Sequence, residues 1–216
     1  MRAFVTGLAV LAAVLGFVAV GHAAPKPKAA SVTLKASAGT ITASQPVTLS
    51  GQVKGAKGVL VTLMRRATPD TAFTPAGTAT TDGTGKYSFT ARPLLNTVYR
   101  VVAATTPASQ SPDVTTLVRP LVGLKVSDAT PHKGQRVRFH GTVRPPRDGS
   151  RVSLQRRRSD GTWATVVRPT LQDAGTVYSS YSRKLRIKRS GSYRTVIAAD
   201  AQHARGVSRV RTLTVG

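Results

Sequence analysis

The chain of 216 residues contains no cysteine and no glutamate. The lack of cysteine excludes disulfides, thiolate nucleophiles and cysteine-based zinc sites. Any stable fold must therefore rest on an apolar core alone. On folding, a domain of roughly 95 residues buries about 60% or a little more of the surface that its unfolded chain exposes, which is sufficient for folding without covalent cross-links.

Acidic residues are few and all are aspartate, with 8 acids against 32 lysines and arginines, giving a net charge of +24. Long runs of a single sign are absent, which argues against a disordered basic tail. The excess of positive charge is distributed unevenly along the chain. Residues 25–120 carry 11 Lys or Arg and 3 Asp, net +8, whereas residues 121–216 carry 20 and 5, net +15.

Patterns that support catalysis or metal binding are also missing. Most aspartates adjoin Gly, Pro or Ser, where the carboxylate usually bonds its own backbone in a turn and does not form a catalytic pair. His132, His140 and His203 have no zinc-ligand spacing, and no calcium loop or G-x-S-x-G turn occurs. We expect a non-catalytic protein with no cofactor and no metal, in which the imidazole of His140 faces solvent on a strand.

Residues 1–23 have the pattern of a secretory signal peptide, predicted to be helical. A short positive start precedes an apolar run, and Gly21 and Ala23 supply the small residues before cleavage after Ala23. An uncleaved anchor is the alternative, because an 18-residue run is at the lower limit for spanning a bilayer. After cleavage we expect an extended linker over residues 24–30, no membrane span, and a secreted or envelope location.

The remainder of the chain repeats itself with an offset that grows from 90 to 94 residues. The matched segments are 32–35 with 122–125, 50–53 with 140–143, 61–66 with 152–157, 82–87 with 173–178, and 99–102 with 193–196. A period of this length indicates tandem domains and not a solenoid, and we place them at residues 31–119 and 120–216. Pro120 restricts the chain at the boundary, where no flexible spacer occurs.

Both copies show β-strand periodicity. Val47, Leu49 and Val53 alternate with polar residues, and Val137 and Phe139 do the same in the second copy. Turn-forming clusters separate the short strands, and no sustained helical period occurs after the apolar run. The sequence therefore predicts an all-β protein of two antiparallel β-sandwiches.

Residues 31–216 resemble the bacterial immunoglobulin-like repeats of secreted and surface proteins, within the broad immunoglobulin and fibronectin type III group. The residues that carry the resemblance are Gly51-x-Val53, Gly141-x-Val143, Val61-x-Leu63, Val152-x-Leu154, Tyr99 and Tyr193. The resemblance implies two tandem immunoglobulin-like domains of the cysteine-free branch, acting as spacers, stalks or binding modules, with Tyr99 and Tyr193 as corner-capping tyrosines. Residues 82–89 also resemble the hairpin of transthyretin-like domains, which leaves the superfamily open.

Basic residues of the second copy supply a candidate binding surface. Leu185 and Ile187 share one strand face and Arg186 and Lys188 the other, so neighbouring strands of this kind would form a cationic ladder. The candidate anion-binding residues are Arg136, Arg138, Arg157, Arg183, Arg186 and Lys188. The partner we expect is an anionic envelope polymer or acidic glycan, with phosphate or carboxylate bound by arginine forks. The alternative is that these residues only solubilise the sheet and protect its edges.

Three further expectations complete the sequence-based account. Trp163, matched by Phe73, is a possible aromatic contact for a ligand or a lid at the end of the sandwich. The chain lacks a recognition helix and interleaved aromatic residues, so sequence-specific nucleic-acid binding is not expected. The main expectation is a stalk or adhesin, and the alternatives are an extracellular nucleic-acid-binding protein and a protein-interaction or inhibitor module. Mutual repulsion of the cationic faces favours a monomer.

Overall fold

The computed structural model of the protein describes residues 29–216, which form strands and turns with no helix. The predicted signal peptide, residues 1–23, and residues 24–28 of the predicted linker lie outside the described residues. Within residues 29–216 no helix is long and apolar enough to cross a membrane.

The first half of the described chain forms nine strands in two sheets. They are β1 (Val32–Ala36), β2 (Thr40–Thr42), β3 (Val47–Val53), β4 (Leu60–Ala67), β5 (Thr74–Thr80), β6 (Lys86–Ala91), β7 (Thr97–Ala103), β8 (Ser109–Gln110) and β9 (Val114–Arg119). One sheet has the order β1-β3-β6, and the other has the order β2-β9-β7-β4-β5 with β8 also on β7. All pairs are antiparallel except β2 with β9, which is parallel.

The second half forms ten strands, again in two sheets. They are β10 (Leu121–Val122), β11 (Lys125–Val126), β12 (Arg136–Arg144), β13 (Val152–Arg157), β14 (Trp163–Val167), β15 (Gln172–Asp173), β16 (Ser179–Arg186), β17 (Gly191–Ile197), β18 (Gly206–Val207) and β19 (Arg211–Leu213). One sheet has the order β10-β12-β16-β15 with β11 on β12. The other has the order β14-β13-β17-β18 with β19 on β17.

Alternation of apolar and polar residues decides which strand face is buried. Val137, Phe139 and Val143 of β12 are fully buried, while Arg138 and Thr142, which alternate with them, are exposed. Each of the four buried apolar clusters draws its residues from one side of Pro120 only. The fold is thus all-β and sandwich-like, with separate cores in the two halves. The interpretation of these halves as two immunoglobulin-like domains stays a prediction.

The strand register corrects one segment of the repeat. Gly51 of β3 lies opposite Tyr87 of β6, and Gly141 of β12 lies opposite Tyr181 of β16. Tyr181 is therefore the counterpart of Tyr87, and the predicted match of residues 82–87 with 173–178 is wrong. Tyr178 precedes β16 and is 38% exposed. The second half contains a longer connection at this point, which shifts the alignment by three residues.

These two tyrosines explain why glycine stands opposite them. The hydroxyl of Tyr87 donates a hydrogen bond to the carbonyl oxygen of Thr33 on β1. The hydroxyl of Tyr181 donates to the carbonyl oxygen of Gly123, at 2.7 Å. A Cβ atom on Gly51 or Gly141 would overlap the accepting carbonyl oxygen. The Gly-x-Val motifs are therefore positions where two strands and a tyrosine hydroxyl meet too closely for any side chain.

Tyr99 and Tyr193, which the resemblance assigned to corners, lie in the buried apolar clusters. The ring of Tyr193 packs against Phe139, with centroids 4.9 Å apart. The tyrosine-to-backbone bonds seen in residues 29–216 come instead from β6 and β16.

Asn96 joins the two halves through two hydrogen bonds and makes a third within the first half. Its backbone N–H donates to the carbonyl oxygen of Gln202 at 2.8 Å, and its side-chain amide donates to Ala201 at 3.0 Å. Its side-chain oxygen accepts from the N–H of Val118 at 2.8 Å. Close by, the N–H of Ala204 donates to the carbonyl oxygen of Val118. The junction is therefore a hydrogen-bonded contact and not a free tether.

Candidate anion-binding surface

The antiparallel pair β12 and β16 carries the densest set of outward-facing cations. Arg136 lies opposite Arg186, and Arg138 lies opposite Lys184. Next along the same face, His140 lies opposite both Ser182 on β16 and Lys125 on β11. We call five of the exposed cations of this surface the basic face: Lys125, Arg136, Arg138, Lys184 and Arg186. Arg144, at the far end of β12, is exposed on the same side and is not included.

Carboxylates do not neutralise the basic face. Among residues 29–216 the ion pairs are Arg100 with Asp113, Arg147 with Asp200 and His203 with Asp200. None of them uses a cation of the basic face. Like charges directly opposite each other on adjacent strands are destabilising by about 0.2–1 kcal/mol per pair. The two opposed pairs of this face therefore act against folding when no ligand is bound.

Three of the six predicted anion-binding residues do not belong to the ladder: Arg183, Lys188 and Arg157. Arg183 lies opposite Phe139, so it projects from the other side of β16 although it remains exposed. Lys188 lies beyond the last residue of β16. Sequence reasoning in turn missed Lys125 and Lys184. The same period of two that selected Arg186 would have found Lys184, whereas nothing in the sequence places Lys125 beside His140.

Arg157 lies on β13, in the other sheet of the second half. Its Nε donates to the carbonyl oxygen of Gly161 at 3.3 Å, and Arg156 donates to that of Ser190 at 2.7 Å. The Thr162 hydroxyl and N–H, with Arg158 nearby, lower the pKa of the Asp160 carboxyl. The arginines here are thus partly engaged with backbone oxygens and a carboxylate, unlike those of the basic face.

Trp163 is half-buried on β14, which also belongs to the other sheet. The guanidinium of Arg194 lies 4.2 Å from the centroid of the indole ring and donates to the side chain of Gln155 at 2.8 Å. Phe73 is covered in the same way, with Arg100 at 4.0 Å from its ring. Trp163 therefore presents at most one open ring face, and the structure does not bring it to the basic face.

A recess opens on the outer surface of the β12 and β16 pair. It has a volume of about 460 Å³. Its lining includes Gly123, Gly141, Lys125, Arg138 and Arg211. His140 also lines it. The imidazole is half-buried, which corrects the expectation of a solvent-facing ring, and its Nδ1 is buried with no hydrogen-bond partner among the described residues.

No protein-family model and no curated protein matches the chain. A solved structure that is similar to it is a tetra-tandem repeat in the extending region of a large adhesion protein, 16% identical, with a TM-score of 0.37. The match covers 86% of this chain, which spans about half, 49%, of the length of that structure.

The first half provides an internal comparison for the basic face. Superposing the Gly51–Tyr87 and Gly141–Tyr181 pairs by register places Thr48 at the position of Arg138 and Thr90 at that of Lys184. The corresponding cross-strand pairs are Thr48 with Thr90 and Ser50 with Ser88, all neutral. The first-half pair does carry Lys86 on β6, opposite Gln52, but it has no directly opposed cations, so the fold itself does not require such pairs in the second half.

Metal binding finds no support in the described part of the chain, where no group of three or more His, Asp or other ligating side chains comes together. The expectation of a protein without cofactor, metal or catalytic residues stays a prediction.

Proposed function

We propose that the protein is a non-catalytic extracellular module of two immunoglobulin-like β-sandwich domains that binds anionic polymers through the basic face of the second domain. The observation that carries the proposal is a ladder of directly opposed cations that form no ion pair among residues 29–216, on a strand pair whose counterpart in the same chain has no opposed cations. A stalk or adhesin at the cell envelope fits such a module.

The size of the charge supports a binding role over solubility alone. The second half carries a net +15, whereas a magnitude of about 2–8 is enough to keep a small domain soluble. A polyanion bound along the face would offset the repulsion between Arg136 and Arg186 and between Arg138 and Lys184. Arginine also suits this task because its planar fork can bond two oxygens of one phosphate, sulfate or carboxylate group.

Secretion is proposed from the pattern of residues 1–23 alone, and the monomeric state from repulsion between cationic faces. Both are consistent with a module that meets an anionic polymer outside the cell.

The test compares two variants of equal charge. Arg138→Thr with Lys184→Thr restores the residues found at the equivalent positions of the first half. Arg168→Thr with Arg209→Thr removes two exposed cations outside the basic face. Binding to immobilised heparin, a sulfated polymer, is measured over a series of salt concentrations.

We expect the first variant to lose about tenfold or more in affinity, with a flatter dependence on salt, because each lost contact removes about one unit from the log–log slope. The control variant should lose about twofold or less. Equal losses in the two variants would mean that only net charge matters, and the basic face would be rejected as a specific surface.

A further inference from the structure

The outer surface of β12 and β16 changes character along its length. At one end lie the opposed cation pairs of Arg136 with Arg186 and Arg138 with Lys184. At the other end lie hydroxyl groups, since Thr142 is opposite Ser180 and Ser182 is opposite His140. The recess of about 460 Å³ lies where the two regions meet. A ligand seated there would face cations on one side and hydroxyls on the other.

The glycine and tyrosine arrangement lies beside the recess. Gly123, beside Thr142, adds no side chain to the recess, whereas Gly141 faces inward with its partner Tyr181. The hydroxyl of Tyr181 is already bonded to Gly123 and to Thr195, each at 2.7 Å. Arg211 reaches the wall from β19, with its Nε bonded to the carbonyl oxygen of Leu124 at 2.9 Å. This bond fixes the guanidinium at the rim.

The hydroxyl groups around the recess are free to bind a ligand. Within residues 29–216 the hydroxyls of Thr142, Ser180 and Ser182 make no hydrogen bond to protein, whereas the Nδ1 of His140 is buried and closed to a ligand. Hydroxyls that donate and accept match the hydroxyls of a sugar ring, and nearby cations match acidic substituents on that ring. A volume of about 460 Å³ exceeds the needs of a single oxyanion and falls within the usual range of about 300–1,000 Å³ for small-ligand sites.

The recess lacks what a nucleobase requires. Single-stranded nucleic acids are held by aromatic side chains on which the bases stack. The aromatic residue at the recess is Tyr181, which is 3% exposed and cannot offer a ring face. Trp163 lies in the other sheet, with Arg194 on its ring. The basic face could meet a phosphate backbone, but the recess offers no stacking platform.

We propose that the recess is a sugar subsite and that the polymer is an acidic glycan carrying sulfate, phosphate or carboxylate groups. One sugar unit occupies the recess, with its hydroxyls on Thr142 and Ser182 and its acidic group toward Arg138 and Lys125. This inference rests on the proposed function, because it specifies which polymer the basic face binds. The equivalent recess of the first half is lined by Lys35 and Lys86 but also by Asp82, whose carboxylate would repel the acidic group of the same unit.

The experiment separates hydroxyl recognition from charge. In the purified protein, Thr142→Val with Ser182→Ala removes two hydroxyls and leaves the net charge unchanged. Ser88→Ala with Thr90→Val removes two hydroxyls from the outer surface of the first half, where Ser88 is the counterpart of Ser182. Both proteins and the wild type are titrated with a heparin oligosaccharide and with an oligothymidylate of equal negative charge, at one salt concentration.

We expect the Thr142 and Ser182 variant to bind the heparin oligosaccharide about tenfold more weakly, as the loss of two ligand hydrogen bonds implies, and to bind oligothymidylate within about twofold of the wild type. The wild type should prefer heparin, and the first-half variant should match it. Unchanged heparin binding by the Thr142 and Ser182 variant would overturn the sugar subsite, as would equal affinity of the wild type for the two ligands. The broader proposal, that the basic face binds polyanions, is rejected by a different result. It fails if the Arg138→Thr with Lys184→Thr variant still binds heparin as the wild type does.

Discussion

At the scale of single residues, Gly141 is the most constrained position near the recess. The carbonyl oxygen of Gly123 and the hydroxyl of Tyr181 occupy the space that a Cβ atom would need. We expect Gly141→Ala to destabilise the protein by about 1–3 kcal/mol, because backbone and not a flexible side chain must move. Gly83→Ala is the control, since that glycine has open space around it. Chemical denaturation should show a lower midpoint for Gly141→Ala alone, and equal midpoints would contradict the packing described.

Tyr87 and Tyr181 predict the response of the protein to alkali. Burial raises the pKa of each hydroxyl to about 12, above the ordinary value of 10.0. The protonated form is therefore favoured by the fold, so the contribution of these groups is complete below about pH 10 and is lost as the pH rises toward 12. Each tyrosine should account for about 1–3 kcal/mol of the unfolding free energy lost over that interval.

The measurement is the free energy of unfolding between about pH 9 and about pH 12, in the wild type and in Tyr181→Phe. The variant should lose less stability over this range, although it starts lower because the bond to Gly123 is gone. Tyr178→Phe, at an exposed tyrosine, should follow the wild type. A wild-type stability that is flat over this range would be inconsistent with buried hydroxyls.

At the scale of elements, the junction between the halves contains a buried histidine. His203 is 2% exposed and lies beside Asp200, Arg147 and the backbone of Leu94, which belongs to the first half. Burial lowers the pKa of its imidazole, and Arg147 adds to this effect, outweighing the opposite influence of Asp200. No role for His203 could be predicted from the sequence, because the burial of a polar side chain at a contact between domains leaves no periodic pattern in the sequence.

The lowered pKa gives a definite sign for the effect of acid. The unfolded chain binds a proton at His203 more readily than the folded protein, so stability is complete above about pH 6.5 and falls as the pH drops through the folded pKa. His203→Leu should remove this part of the acid sensitivity between about pH 7.5 and about pH 5, as measured by thermal unfolding, whereas His132→Leu, at an exposed residue, should retain it. The same slope in all three proteins would refute this assignment.

The strands themselves were largely predictable, but their pairing was only partly so. The period of two in β3 and β12 follows from burial of one face, and it correctly separated Arg136 and Arg138 from Val137 and Phe139. The segment before β16 was misaligned because Tyr178 and Tyr181 both follow a turn, and only the partner strand shows which one reaches the core. Register is set by long-range packing, which one sequence does not display.

At the scale of the whole molecule, the charge asymmetry was visible in the sequence, whereas the shape of the candidate site was not. Counting charges placed the surplus in the second half, and alternation placed Arg136, Arg138 and Arg186 on one face. The recess is lined by residues from separate parts of the chain, among them Thr142, Ser182 and Arg211, and Lys125 joins it from a two-residue strand that has no signal of its own. Arg157 and Trp163 were included in the candidate site because sequence proximity to basic residues does not distinguish the two sheets.

The most direct measurement for the central claim is a map of amide chemical-shift changes in the labelled protein as a heparin oligosaccharide is added. Changes concentrated in β11, β12 and β16, with little effect on β3 and β6, are the predicted result. Changes centred on β13 and β14 around Arg157 and Trp163, or spread evenly over both halves, would contradict the assignment of binding to the basic face.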